Sequence, residues 1–293
     1  MAPSTITGHL VRFRETLNPV HALRAARLIV EGGRIPELMY GAWCAALLPP
    51  STVVPSAVEH LVRQVEDNLS EYLRQFLSSA QLAARYGDRY AISELPSDFE
   101  GSRTESVIER GDLLLVGEYG DQQSRIAILS ASSCHIESHY LTEGGVRHIH
   151  AMHAHPDDPQ GIIVTTGDGA KLLDHWSVEG RRLRFEYRLR KRFAGHTALA
   201  CLGGQLYGGT DFSARPNYIE RLDGKTFPFP LPAYTKFARS FHVIEDRWLL
   251  AISSELDDLG SNNVLSIFDT VKQQFVYCGL LPAPKTTPPP AHR

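Results

Sequence analysis

The chain has 293 residues, 43% of them hydrophobic and 22% charged, which are values of an ordinary globular protein and rule out wholesale disorder. Lys and Arg number 30 against 33 Asp and Glu, so the formal net charge is −3 and there is no broad basic surface for a nucleic-acid backbone. The opening MAPSTITGHLVRFRETLNP lacks the apolar stretch of a secretory signal, and the longest apolar run, LMYGAWCAALLPP, is too short to span a bilayer; the expected location is the cytoplasm.

Residues 18–86 read as helical. PVHALRAARLIVEGG and IPELMYGAWCAALL are two short helix candidates separated by Gly-Gly-Arg-Ile-Pro. In the segment that follows, Val58, Leu61, Val62, Val65, Leu69, Tyr72, Leu73, Phe76 and Leu77 recur three and four apart, forming one apolar stripe. Ser56, with Glu59 three residues on, is its expected capping box. The organisation read from the chain is a helical segment over 1–90, a β domain over 91–283 and a Pro-rich tail over 284–293. Cys44, Cys134, Cys201 and Cys278 have neither C-x-x-C nor framework spacing and read as reduced, mostly buried thiols.

From about residue 100 the period becomes two. Short β-branched and aromatic runs follow one another, among them DLLLVGEY, GIIVTTGD, RWLLAISSE and VLSIFDT, each bounded by Gly, Asp or Asn. TESVIE, RHIHAMH, FAGHTALA and RSFHVIE align as the first strands of four units, placing Ser106, His150, His196 and His242 in one column; Asp121, Asp168, Asp211 and Glu255 end the second strands. Both columns repeat at about 45 residues, the length of a four-stranded propeller blade. The predicted fold is mainly β: a β-propeller with four recognisable blades, preceded by an α-helical N-terminal segment. A degenerate fifth blade from DRYAISELPSDF stays open.

The stretches VRHIHAMHAHPDDPQGIIVTTGD, LYGGTDFSARPNYIERLDG and LLAISSE resemble the sialidase-like, BNR-type propeller proteins of bacteria, often encoded near surface-polysaccharide genes. The resemblance covers about residues 101–281 and implies the propeller fold. TTGDGAKLLDHW keeps Asp168, Gly169 and Trp176 at spacings other than those of the sialidase Asp-box, and neither the arginine triad nor the nucleophile pair of sialidases can be placed on this chain. Sialidase activity is therefore not implied.

Inner strands of a propeller line its axis, so His150, His196 and His242 are expected to converge. Three imidazoles from different strands could hold Zn²⁺, Mn²⁺ or Fe²⁺ with positions left for substrate. His148, two residues before His150, shares its face and is a candidate fourth ligand or general base, whereas His153 and His155 are poorer candidates. A polar channel without metal, or simple packing, accounts for the same column. Asp168, Asp211 and Glu255 either fix turns or act as acid and base beside the histidines. Arg147 and Arg239 each stand three residues before a column histidine and would form a cationic rim for a carboxylate or phosphate.

Tyr207, Tyr218, Trp176 and Trp248 are stacking candidates for sugar rings or else inter-blade core. RRLRFEYRLRKR, residues 181–192, is the one strong charge run and reads as an edge strand guarded by charge or as a contact surface for an acidic partner. Three functional readings follow. One is a metal-dependent lyase or hydrolase acting on an acidic or glycan-like ligand in the channel, and another a metal-free hydrolase using paired carboxylates. The last is a non-catalytic ligand-binding or scaffold protein of a glycan or natural-product pathway, whose N-terminal helices dock a protein partner.

Overall fold

The computed structural model describes residues 54–282, apart from 74–75, 122–123, 144, 168–169, 190–194, 212–216, 231, 235 and 255–262. The two helix candidates before residue 54 and the Pro-rich tail lie outside the described residues.

Four antiparallel sheets follow in chain order. Blade 1 holds β2 (Ser102–Arg110), β3 (Leu113–Glu118), β4 (Ile126–Leu129) and β5 (Cys134–Glu137). Blade 2 holds β6 (His148–Ala154), β7 (Gly161–Gly167), β8 (Leu173–Glu179) and β9 (Arg182–Arg188). Blade 3 is β10 (His196–Leu202), β11 (Gln205–Thr210), β12 (Tyr218–Arg221) and β13 (Thr226–Pro228), and blade 4 is β14 (Phe237–Ile244), β15 (Trp248–Ser254), β16 (Val264–Asp269) and β17 (Gln274–Leu280). Every strand of a blade pairs with its successor in sequence, so each blade is a meander. The fold is a four-bladed β-propeller.

Period-two alternation gives each blade two apolar faces. Leu115, Ile126 and Ile128 of blade 1 meet Ile149, Ile162, Val164 and Trp176 of blade 2. Ala151, Ile163 and Leu173 of blade 2 meet Leu199 and Leu206 of blade 3, and Ala198, Tyr207 and Ile219 of blade 3 meet Phe241, Leu249, Ala251 and Phe268 of blade 4.

Between blades 4 and 1 the pattern changes, because the helical segment supplies the cover. A 3-10 turn (Ser56–Val58) and helices α1 (Glu59–Asp67) and α2 (Leu69–Tyr72) set Val58, Leu61, Val62, Val65 and Leu69 on Leu250, Ile252, Leu265 and Ile267. Leu77, Leu82 of helix α3 (Ser79–Tyr86), Tyr90, Ile92 and Phe99 cover Leu114, Val116, Ala127 and Leu129 on the open face of blade 1. The DRYAISELPSDF stretch is thus part of this wedge, as turns and a short 3-10 helix at Ile92–Glu94, and there is no fifth blade from it.

The expected single stripe is broken by strand β1 (Phe76–Leu77), which pairs with Ser102 and Arg103 on the axial edge of blade 1. Ser56 makes no side-chain cap; the capping box is Ser78 with Gln81, which satisfies two free N–H groups at the start of α3.

Candidate functional site

The inner strands carry irregularities at matching places. β6 bulges between Ile149 and Ala151, β10 between His196 and Ala198, and β14 between Ala238 and Ser240. The residues left unpaired, His150, Thr197 and Arg239, therefore form the true column. β2 has a wider irregularity between Ser102 and Val107, which holds Arg103 and Ser106. His196 is level with Ile149 through its pairing to Thr210, as Ile149 pairs with Thr166. His242, paired with Leu250, lies beyond the bulge at the level of His153. A shift of one residue turns a side chain to the opposite face, so equal spacing in sequence does not place the three histidines on one ring.

Their partners differ accordingly. The His196 ring passes over Gly208, where a Cβ would collide with it, and its Nε2 lies 3.0 Å from Oε2 of Glu220, two strands out on its own blade. His242 lies edge-on to Tyr72 of α2 at 4.7 Å and 3.2 Å from the Ser240 hydroxyl. Burial under the wedge depresses its pKa to about 4. Among the described residues no three His, Cys, Asp or Glu side chains are arranged to hold a metal ion.

His150 is the column histidine that stays in a polar centre. Its ring lies over Gly167, in the space a Cβ would take, and hydrogen-bonds the main chain of His196. Desolvation, followed by the positive charge of Arg103, holds its pKa well below the ordinary histidine value, with His148 and Lys171 adding to the shift. It is therefore neutral near pH 7. Nδ1 is buried without a hydrogen-bond partner and lies 4.0 Å from Oδ2 of Asp211. The other carboxylate oxygen of Asp211 accepts from Lys171 Nζ at 2.6 Å.

His148 is buried beside His150, with ring centroids 4.9 Å apart, and stacks on Tyr119 at 3.9 Å. Phe76 of β1 meets Tyr119 edge-on at 5.0 Å, so an aromatic row leads from the axial edge of blade 1 to the two histidines. Arg103 is buried next to Glu105, Nε to Oε2 3.5 Å, and its guanidinium donates to the Arg239 carbonyl across the seam between blades 1 and 4. Burial raises the pKa of Glu105 against the pull of Arg103.

The remaining expected residues fall as follows. Asp168 and Glu255 lie outside the described residues. Asp211 is level with Gly167 and Ser254, since its N–H bonds to the Gly195 carbonyl. Arg147 stands on the surface with its guanidinium near Asp121, whereas Arg239 is buried and donates to Ser254 Oγ at 2.9 Å. The two arginines do not form one rim. Tyr207 is core between blades 3 and 4, against Phe268, rather than a stacking platform; Trp176 and Trp248 are buried as well.

Tyr119 and Lys171 were not singled out by the sequence as members of this centre. Gly167 and Gly208 were the available signal, because a glycine on the second strand makes room for an imidazole lying across the sheet.

The sequence matches no known protein family and no curated protein. Among solved structures, Kuenenia stuttgartiensis hydrazine synthase is similar over 58% of this chain and 46% of that one, with 11% identity and a TM-score of 0.43. This chain thus corresponds to just under half of that protein. Among the described residues no helix is long and apolar enough to cross a membrane.

Proposed function

We propose that the axial centre around His150 binds a small acidic, hydroxylated ligand of the sugar-acid type. The carrying observation is the pair of acceptors: the bare Nδ1 of a neutral His150, 4.0 Å from a carboxylate oxygen of Asp211. Two acceptors at that separation repel unless donors satisfy them, and a ligand with two hydroxyls can donate one to each. The positive charges of Arg103 and Lys171 both act on His150 and favour an acid group on the ligand. Where the ligand undergoes chemistry, His150 is the proton acceptor, with Asp211 stabilising the imidazolium that forms.

Titration calorimetry with glucuronate, glucose and acetate separates the contributions. Glucuronate is expected to bind most tightly, and His150→Gln to weaken it by roughly tenfold or more while leaving the thermal midpoint within a few degrees. Equal heats for all three compounds, or an unchanged affinity in the variant, would overturn the reading.

A further inference from the structure

We propose that the outer edge of blade 2, strand β9, is a docking edge for an extended acidic peptide segment, which adds to the blade as a fifth strand. Among the described residues β9 ends its sheet, so alternate N–H and C=O groups along its seven residues face away from β8. Such an edge accepts a strand through main-chain hydrogen bonds.

Two features set β9 apart from the other outer strands. β13 has three residues and ends in Pro228, and β5 has four. β17 matches β9 in length but carries no Lys or Arg. Along Glu179–Arg188, by contrast, Arg181, Arg182, Arg184 and Arg188 stand against Glu179 and Glu186. Arg182 is exposed, and the Arg184 side chain is 62% exposed even while bridging Glu179 and Glu186.

Charge alone would serve to repel other strands. The aromatic residues argue otherwise. Phe185 and Tyr187 are 39% and 44% exposed, which a guarded edge would avoid. They lie on opposite faces of the blade: Phe185 pairs with Trp176 and Tyr187 with His175, which are consecutive in β8. Phe185 also stacks on His139 at 5.7 Å, and Tyr187 meets His175 edge-on at 4.8 Å. Phe185 is the central residue of the strand and Tyr187 its last but one, on either side of the bulge opposite His175 and Trp176. An incoming strand alternates its side chains over both faces and so covers both rings, while acidic side chains on it reach Arg182 and Arg184.

Fluorescence anisotropy with a labelled peptide alternating Glu and Val tests this, beside its Lys and Val counterpart, a version with alternate residues replaced by Pro, and a single-stranded oligonucleotide. The acidic peptide is expected to bind, and the Lys and Pro peptides to bind roughly tenfold or more weakly. Phe185→Thr with Tyr187→Thr should lower affinity by a similar factor. Arg182→Glu with Arg184→Glu should shift preference to the Lys peptide. These exposed positions are chosen so that thermal midpoints stay within a few degrees, and amide exchange should slow in β9 on binding. No binding by the intact protein, equal binding of the Pro peptide, or preference for the oligonucleotide would overturn the proposal.

Discussion

At the scale of single residues, the histidines divide by what lies beneath them. His196 spans its blade because Gly208 leaves the space, so Gly208→Ala forces the ring against a new methyl group. The expected cost is about 1–3 kcal/mol by urea denaturation, and it should largely vanish when His196→Ala removes the ring. If the cost persists in that background, the glycine matters for another reason. His242 gives a pH signature. Its folded pKa is about 4 against an ordinary 6.5, so between those values the unfolded chain binds more protons. The contribution of neutral His242 is full above about pH 6.5 and is lost as pH falls towards 4, at most about 3 kcal/mol in all. His242→Gln should flatten the stability profile in that window relative to wild type; parallel profiles would refute the assignment. Which of these histidines share a level was not legible in the chain, because spacing counts residues while the ladder counts pairs. A connection of changed length between blades slips one against the other, and a slip of one residue exchanges faces.

At the scale of elements, the strands were legible and the helical segment only in part. Alternation bounded by Gly, Asp and Asn marks β2 to β17, since each blade needs two apolar faces and tight turns. The apolar stripe of residues 58–77 reads equally well as one long helix; what interrupts it is the pairing of Phe76 and Leu77 with Ser102 and Arg103, a long-range contact with no local signature. Tyr119 and Lys171 escaped notice for the same reason, since their meaning arises from neighbours supplied by other strands. The apolar residues of the described helices serve to cover blades 4 and 1. Leu61, fully buried against blade 4, measures that use. Leu61→Ala should cost about 2–5 kcal/mol and raise amide exchange in β15 and β16 more than in blade 2. Equal loosening of all four blades would show that the wedge does not act locally.

At the scale of the whole molecule, three seams join blade to blade and the fourth joins blade to wedge to blade. The axial centre lies where these seams meet, and Arg103, bonded to the Arg239 carbonyl, ties blade 1 to blade 4 there. The site and the closure of the ring therefore share a residue. The wedge also imposes an order on synthesis. Val58, Leu61 and Val65 leave the ribosome long before Leu250, Ile252 and Leu265, the residues they cover. Pairings so distant along the chain are slow to form, and for that interval α1 has an apolar stripe with no partner. The nascent chain carries this surface through the making of three blades, so α1, made before every described strand, is covered only when the last blade forms.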